Sequence, residues 1–358
     1  MSDTYVIAEA GVNHNGDVDL AFKLVDAAKE AGADAVKFQT FLASKLVTKA
    51  APKAQYQNLS TDASESQHAM LSRLELPHNA YLDLLDYCKL KEIEFLSTAF
   101  DYESLIFLRD RLKVKTLKIS SGDLTNAPLV LEHAKTGFDI ILSTGMATLE
   151  EIQTALGVIA YGYIHQKNVC HINKDLFADA FQSEEGQKLL KEKVCLLHCT
   201  TEYPAPLREI NLRAMDTMIE AFGLKVGYSD HSEGILVSLA AVAKGARIIE
   251  KHFTLDREME GPDHAASLEP GELKELVDCV REIDLAQGKP HKLPSLSEES
   301  NKLIARKSLV AAMDIKKGQK ITADYLTCKR PGSGISPLRY WDYLGTVAKK
   351  DYKEDDLL

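Results

Sequence analysis

Two histidines that each end a short strand-prone segment are the residues of this chain best placed to do chemistry. His231 ends the run Tyr-Ser-Asp-His, His252 ends Ile-Glu-Lys-His, and a helix-prone segment at residues 235–244 lies between them. This is the pattern of one βαβ unit, and in parallel α/β folds ligands collect at the carboxyl ends of the strands. Either histidine alone is as readily explained as a hydrogen-bonded polar residue at a strand end. The pair together predicts a shared metal ion.

Two lysines inside otherwise apolar strands suggest a second kind of chemistry. Lys37 lies in Ala-Val-Lys-Phe and Lys118 in Thr-Leu-Lys-Ile, and burying an unpaired ammonium is costly. With neighbouring serines and loop amides they predict a pocket for phosphate and carboxylate groups, the alternative being ordinary solvated lysines. A metal ion held by only two imidazoles keeps positions open for water and a substrate oxygen, which suits carbonyl polarisation. The acids available for proton transfer are Glu9, Asp123, Glu202 and Glu250.

Eight short apolar or β-branched segments predict the strands that position these groups. They are residues 5–8, 35–38, 94–96, 116–119, 140–142, 194–197, 225–228 and 247–249. Amphipathic helical patterns alternate with them, for example at residues 18–31, 77–91, 102–111, 128–136, 149–161 and 271–285. Eight strand–helix units over residues 1–286 predict a (β/α)₈ TIM barrel, with a doubly wound open sheet as the alternative.

The pattern changes after residue 286. Gly288, Pro290, Pro294 and a serine-rich stretch predict an extended linker over residues 287–304. Short strand-like segments and turn signals predict a small β-rich module over residues 305–358. Residues 164–193 are long for a connection from a helix to a strand, and they predict a surface insertion or an oligomer contact.

Composition excludes several classes of function. A chain of 358 residues with 45% hydrophobic residues is large enough for one big core and an appended module. Its formal charge of -10 argues against a nucleic-acid or acidic-membrane partner. No segment approaches the roughly 20 apolar residues of a membrane span, and no basic signal sequence is evident, so a cytoplasmic location is expected. The six cysteines form no CxxC pair, which predicts reduced thiols.

Longer motifs add a family resemblance. The run Ile7-Ala-Glu-Ala-Gly-Val-Asn-His-Asn-Gly-Asp17 comes first, and Val36-Lys-Phe-Gln-Thr40, Lys118-Ile-Ser-Ser-Gly-Asp123, Leu142-Ser-Thr-Gly-Met146, Leu197-His-Cys-Thr-Thr-Glu-Tyr-Pro-Ala-Pro206, Tyr228-Ser-Asp-His231, Ile249-Glu-Lys-His-Phe-Thr254 and Gly261-Pro-Asp-His264 follow in order. Together they resemble the sialic acid synthase family. The tail segment Lys329-Arg-Pro-Gly-Ser-Gly-Ile335 resembles the C-terminal antifreeze-like (SAF) domain of that family.

The resemblance implies a metal-dependent condensation of phosphoenolpyruvate with an N-acyl amino sugar in its aldehyde form. The products are a nine-carbon 3-deoxy-2-keto acid and phosphate. N-acetylmannosamine, giving N-acetylneuraminate, is the first expectation for the acceptor. The alternative within the same chemistry is a legionaminic acid synthase, which uses 2,4-diacetamido-2,4,6-trideoxymannose.

The resemblance also implies roles for individual residues. His231 and His252 match metal ligands, with Mn²⁺ the usual ion and Mg²⁺ or Co²⁺ as alternatives. The positions that match substrate-binding residues are Lys37, Gln39, Lys118, Ser121, Ser143, Thr201 and Ser229, and those that match catalytic or water-holding residues are Glu9, Asp123, Tyr203 and Asp263. Asp123 stands where glutamate is common, and Thr201 where asparagine can occur.

One residue of the tail carries an expectation about assembly. Arg330 matches an arginine that contacts the N-acyl group of the sugar in the barrel of the partner subunit, which implies a domain-swapped homodimer.

Two other classes of function remain as alternatives. A metal-dependent TIM-barrel hydrolase would require more ligands, such as an HxH near the first strand, where the chain offers only Glu9. A binding or ice-binding protein that uses the tail fold would not require polar groups at nearly every predicted strand end.

Overall fold

The structure is a computed structural model that describes residues 4–54, 57–58, 61–62, 64–166 and 172–358. It consists of two compact units, Met1–Gly288 and Lys289–Leu358. Each unit has its own apolar core.

The first unit is a closed barrel of eight parallel strands. The strands are β1 Tyr5–Gly11, β2 Ala35–Thr40, β3 Glu94–Ala99, β4 Thr116–Ile119, β5 Asp139–Ser143, β6 Val194–Cys199, β7 Lys225–Asp230 and β8 Ile248–His252. Strand β8 pairs with β1 and closes the ring. The prediction of a TIM barrel is therefore confirmed, and the open sheet is wrong.

Helices surround the barrel. They are α1 Val18–Glu30, α2 Ala43–Leu46, α3 Gln67–Leu74, α4 His78–Lys91, α5 Tyr102–Ile106, α6 Ala127–Lys135, α7 Leu149–His165, α8 Lys174–Gln182, α9 Glu184–Lys193, α10 Ala214–Phe222, α11 Leu236–Ala243 and α12 Pro270–Gln287. Local sequence sets their starts: the Asp17 side chain accepts bonds from the first backbone N–H groups of α1, and Thr148 with Glu151 forms a capping box at α7.

The alternation of side chains along the strands explains where the site lies. Ile7, Ala35, Leu96, Ile141 and Leu197 belong to an apolar layer inside the barrel, together with Cys195. Side chains two positions further along a strand face the same side. The next layer, nearer the carboxyl ends, therefore consists of polar or reactive groups: Glu9, Lys37, Thr98, Ser143 and Cys199.

Two long connections depart from the basic strand–helix repeat. The connection from β2 to α4 carries α2 and α3, and it follows a strand, so it lies at the carboxyl-end face. The insertion at residues 164–193 forms α8 and α9, and Phe177 approaches α7 so closely that a Cβ at Gly157 would lie 2.7 Å from its carbonyl oxygen. Residues 167–171 of this insertion lie outside the described part of the chain. An oligomer contact there stays a prediction.

The second unit contains the antiparallel pair β9 Ser308–Ala311 and β10 Leu326–Lys329, which isolated bridges extend. Its core contains Ala311, Ile315, Ile321, Leu326 and Ala348. A short helix spans Tyr340–Tyr343.

The extended linker expected at residues 287–304 is partly helical, because α13 spans Leu296–Ala305. Ser295 accepts the N–H of Glu298, and the Glu298 carboxylate accepts the N–H of Ser295, so a capping box starts this helix. The composition of the segment does not reveal the capping box formed by Ser295 and Glu298.

Within the described ranges, no helix is both long and apolar enough to cross a membrane. The described cysteines, Cys88, Cys195, Cys199, Cys279 and Cys328, are free thiols. Cys170 lies outside the described residues.

Candidate active site

A cavity of about 360 Å³ opens at the carboxyl ends of the barrel strands. It brings together nearly all of the predicted site residues. Those that line it are Glu9, Lys37, Gln39, Lys118, Ser121, Ser143, Thr201, Tyr203, Ser229, His231, His252 and Asp263. Residues predicted on seven different strand exits therefore converge on one space.

Buried ion pairs form the floor of the cavity. The Nζ atom of Lys37 lies 2.7 Å from Oε2 of Glu9 and 3.6 Å from Oε2 of Glu250. The Nζ atom of Lys118 lies 3.3 Å from Oε1 of Glu250. Glu250 thus links the two lysines, and Ser229 Oγ donates to the same carboxylate at 2.9 Å. These contacts hold two cations in a place that would otherwise exclude them.

The charges of this floor follow from burial and pairing. Burial raises the pKa of the Glu9 carboxyl, against the opposing effect of Lys37. Burial acts in the same direction on Glu250, but Lys118 and Lys37 together outweigh it and hold the Glu250 pKa below its usual value. For Lys37, burial acts to lower the pKa, but the neighbouring Glu250 and Glu9 outweigh it and the pKa is raised. For Lys118, burial is the larger effect and the pKa is lowered. Lys37, with two carboxylate neighbours, is the more firmly charged cation.

Hydroxyl and amide groups line the side of the cavity next to Lys118. Ser121 Oγ accepts the N–H of Gly145 at 2.9 Å and lies 3.1 Å from Cys199 Sγ. Ser143 Oγ is buried and has no hydrogen-bond partner among the described residues. A Cβ at Gly145 would lie 2.3 Å from Thr201 Oγ1 and 2.9 Å from Ser121 Oγ, so a larger residue there would displace these hydroxyls. A cation with hydroxyl donors around it is suited to a phosphate or carboxylate.

The two histidines line the same cavity at the ends of β7 and β8. His231 Nδ1 lies 2.6 Å from the carbonyl oxygen of Thr200, which fixes the proton on Nδ1 and leaves Nε2 as an acceptor. His252 Nδ1 is buried and has no hydrogen-bond partner in the described structure, and it lies 3.7 Å from Oδ2 of Asp263. The ring centroids of the histidines are 5.7 Å apart.

This donor set fits a divalent cation. Burial lowers the pKa of His231 to about 4 and that of His252 well below its usual value, so both rings are neutral, the form that binds metals. Imidazole nitrogens bind a metal at about 2 Å, and rings at this spacing can share one ion. Among the described residues, no group of three or more His, Cys, Asp or Glu side chains is placed to hold an ion. Water and substrate oxygens would therefore complete the coordination.

Among the predicted site residues of the barrel, Asp123 does not line the cavity. The carboxylate of Asp123 accepts Ser120 Oγ at 2.7 Å and Asn126 Nδ2 at 3.5 Å, and so stabilises the turn between β4 and α6. Arg330 belongs to the second unit, where it is exposed and its Nε donates to the carbonyl of Ala305 at 3.1 Å. The structure assigns Asp123 a place in a turn rather than in the cavity wall.

Two parts of the site were not predicted from the sequence. Glu250 was recognised only as one available acid, although its position two residues before His252 places it on the same face of β8. The β2–α4 connection was not recognised as part of the site. It supplies most of an apolar surface, here called the apolar wall, made of Val12, Leu46, Met70, Leu71, Leu74 and Phe100. Apolar residues at helical spacing in α3 were the available signal.

A closed parallel barrel with an anion pocket facing two neutral histidines defines a TIM-barrel enzyme that acts on an anionic substrate. A family model described as the NeuB family matches residues 24–292, and the SAF domain matches residues 306–358. The chain belongs to the NeuB family and is a phosphoenolpyruvate-dependent condensing enzyme. The resemblance to sialic acid synthases is thereby confirmed, and the hydrolase and ice-binding alternatives are not supported.

Individual relatives match most or all of the chain. It is 49% identical to an N,N'-diacetyllegionaminic acid synthase of Campylobacter jejuni, over 100% of this chain and 99% of that protein. It is 42% identical to the protein of the same name from Legionella pneumophila, over 96% of this chain and 89% of the relative. A crystal structure of an N-acetylneuraminic acid synthetase from Leptospira borgpetersenii has a TM-score of 0.66 and 32% identity, and the match covers 83% of this chain and 90% of that one.

Proposed function

We propose that this enzyme condenses phosphoenolpyruvate with 2,4-diacetamido-2,4,6-trideoxymannose to give N,N'-diacetyllegionaminic acid and phosphate. The observation that carries the proposal is the 49% identity, over the whole chain, to a protein named for that product. N-acetylmannosamine, the acceptor expected first from the sequence, becomes the second candidate. The likeness to the Leptospira borgpetersenii synthetase, at 32% identity, supports it less strongly.

The two sides of the cavity support the choice of acceptor. The floor offers cations and hydroxyls for the phosphate and carboxylate of phosphoenolpyruvate. The apolar wall suits a sugar that carries a methyl group at C6 and a second acetamido methyl at C4, since apolar groups gain free energy by leaving water. The 6-hydroxyl of N-acetylmannosamine would have to give up water against the same surface.

The carbon–carbon bond forms between the two substrates in the space between lysines and histidines. Lys118, with Ser121 and Ser143, holds the phosphate and carboxylate so that C3 of phosphoenolpyruvate faces the aldehyde carbon of the sugar. C3 attacks that carbon, and the aldehyde oxygen takes up a proton and becomes a hydroxyl. C2 is left as a cationic centre next to the carboxylate.

Water then completes the reaction at C2. The water oxygen bonds to C2 and loses one proton, which balances the proton taken up by the aldehyde oxygen. The bond between C2 and the bridging oxygen of the tetrahedral intermediate then breaks, and the second proton leaves with phosphate as the C2 ketone forms. In the proposal Glu9 orients this water, because its carboxylate lies buried in the cavity beside Lys37. Tyr203 and Asp263 hold the sugar from the side of the histidines.

The proposed cofactor is a divalent cation at His231 and His252, with Mn²⁺ first and Mg²⁺ or Co²⁺ as alternatives. Such an ion supplies Lewis-acid polarisation of the aldehyde when it is bound. The neutral rings and the unpartnered Nδ1 of His252 support this part of the proposal. A cytoplasmic location also remains part of the proposal.

A comparison of two acceptors tests the proposed function. Phosphate release from phosphoenolpyruvate would be measured with the diacetamido sugar, with N-acetylmannosamine and with neither, each with Mn²⁺. We expect kcat/KM to be on the order of 100-fold higher for the diacetamido sugar, the discrimination that pocket shape typically provides. A preference for N-acetylmannosamine would establish the second candidate, and no release with either sugar would contradict the condensation.

We also propose a domain-swapped homodimer in which Arg330 serves the barrel of the partner subunit. The match of residues 306–358 to the SAF domain supports this proposal, because Arg330 lies within the matched residues. Mixing two inactive variants, His231→Ala and Arg330→Ala, after joint unfolding and refolding would test it. Mixed dimers should regain part of the activity, because one barrel and one tail arginine remain intact together. Activity no greater than that of the separate variants would contradict the swap.

A further inference from the structure

Each histidine of the candidate metal site directly follows a buried charged residue. Asp230 precedes His231 at the end of β7, and Lys251 precedes His252 in β8. Both charged side chains are fully buried, and Lys251 Nζ lies 3.3 Å from Oδ2 of Asp230. Because neighbouring side chains of a strand face opposite sides, this pair lies on the face of the barrel opposite to the histidines.

Asp230 and Lys251 also bond to Ser232, the residue that follows His231. The N–H and the hydroxyl of Ser232 both donate to Oδ1 of Asp230, at 2.8 and 2.7 Å. The ammonium of Lys251 donates to the carbonyl oxygen of Ser232. His231 thus lies between Asp230 and Ser232. Both of these residues contact Lys251, the residue immediately before His252.

A further partner of the carboxylate comes from a helix. Ser238 Oγ, in α11, donates to Oδ2 of Asp230 at 2.6 Å. This bond shares Oδ2 with Lys251, but it joins the carboxylate to a helix and not to the end of β8. Ser238→Ala therefore offers a matched control, since it removes one bond to the same buried carboxylate and leaves in place the Lys251 ion pair and the bond from Lys251 to the Ser232 carbonyl.

Net stability does not explain a buried pair of this kind. Desolvation of two charges offsets most of their attraction, and replacing such a pair with apolar residues of similar volume is often neutral or stabilising. A geometric role is better supported, since the contacts join the two strand positions that present the histidines.

We propose that Asp230 and Lys251 are positioning residues that hold His231 and His252 at the separation needed to share one cation. The inference rests on the metal site of the proposed function and extends it to a pair of residues on the opposite face of the strands. Residues that support metal ligands from outside the coordination sphere typically change metal affinity by about 10- to 100-fold when replaced.

The experiment measures Mn²⁺ affinity and stability separately in the full-length protein. Mn²⁺ dissociation constants would be determined by isothermal titration for the wild type, Lys251→Met and Ser238→Ala, at a temperature where each is fully folded. The free energy of unfolding without metal would be measured by urea denaturation. We expect about 10- to 100-fold weaker Mn²⁺ binding in Lys251→Met and an unchanged constant in Ser238→Ala.

A double variant keeps the test possible if Lys251→Met alone does not fold. Asp230→Asn/Lys251→Met removes both buried charges, so it should recover stability relative to Lys251→Met while Mn²⁺ binding stays weak. Lys251→Met binding Mn²⁺ within twofold of the wild type would overturn the inference, as would an equal loss in Ser238→Ala. No Mn²⁺ binding by the wild type would instead refute the metal site itself, and the inference with it.

Discussion

The phenol oxygen of Tyr203 lies 3.1 Å from Nε2 of His231, and the two rings stack with their centroids 4.1 Å apart. Nδ1 of His231 carries the proton that is donated to Thr200, so the tyrosine hydroxyl donates to Nε2. The nitrogen best placed to bind a metal is therefore engaged by Tyr203 in the metal-free protein.

Removing this hydroxyl should strengthen metal binding when no substrate is present. A hydrogen bond of this kind contributes about 0.5–1.5 kcal/mol, so we expect Tyr203→Phe to bind Mn²⁺ about three- to tenfold more tightly. Titration calorimetry checks this. Tyr87→Phe is the control, because the Tyr87 hydroxyl bonds Asp26 far from the cavity. Weaker Mn²⁺ binding by Tyr203→Phe would show that the hydroxyl supports the ion instead of competing with it.

Lys118 should act mainly on phosphoenolpyruvate. Lys118→Met removes a buried cation next to Ser121 and leaves Glu250 with Lys37 as its remaining lysine partner. Because charge-assisted hydrogen bonds contribute about 1.5–3 kcal/mol, the KM for phosphoenolpyruvate should rise by about 10- to 100-fold. Steady-state kinetics measure it. Lys115 is an exposed lysine just before the same strand, so the control Lys115→Met should leave the KM for phosphoenolpyruvate unchanged. If Lys118→Met raised only the KM for the sugar, the assignment of Lys118 to phosphoenolpyruvate would be refuted.

The apolar wall should control the choice of acceptor. Leu71 is half-buried and lines the cavity, so Leu71→Gln should lower kcat/KM for the 6-deoxy diacetamido sugar relative to N-acetylmannosamine by about tenfold. Leu85→Gln is the matched control, since Leu85 is half-buried against the main core instead. The ratio should stay constant in that variant. An unchanged ratio in Leu71→Gln would exclude this wall as the determinant.

His133 should make the fold sensitive to mild acid. Burial lowers the pKa of His133 to about 4, against an ordinary value of 6.5. Between these two pH values the ring is therefore protonated in the unfolded chain and neutral in the folded chain. The stability from this neutral ring is fully present above pH 6.5 and is lost as the pH falls towards 4. At pH 5 the loss is about 2 kcal/mol.

The variant His133→Leu isolates this effect from that of the other buried histidines. Between pH 7 and pH 5, its unfolding free energy should fall by about 2 kcal/mol less than that of the wild type. Urea denaturation at several pH values gives both curves. Parallel curves would show that His133 does not remain neutral in the fold.

The sequence predicted the barrel because each strand is a short apolar run with a helix-forming segment after it. It predicted the paired histidines because each ends a strand-prone segment, and the lysines because each lies inside an otherwise apolar strand. Both signals are local, so they need no knowledge of tertiary contacts.

The parts of the structure that the sequence did not predict depend on contacts or on local geometry that a pattern of residue types does not specify. Asp123 follows a strand as the other site residues do, but a tight turn directs its carboxylate to Ser120. The apolar wall required knowing that α3 lies against Val12 and Phe100. The helix α13 had a local signal, Ser295 with Glu298, which the composition of the surrounding segment obscured.

The most direct test of the condensation follows the bridging oxygen of phosphoenolpyruvate. The enzyme would be given phosphoenolpyruvate labelled with ¹⁸O between C2 and phosphorus, the diacetamido sugar and Mn²⁺, and the products analysed by mass spectrometry. The proposed reaction predicts one keto acid that contains the carbons of both substrates, and one phosphate that carries the label. Pyruvate that retains the label, released with unlabelled phosphate, would contradict it, because that outcome is hydrolysis of the phosphate ester without a new carbon–carbon bond.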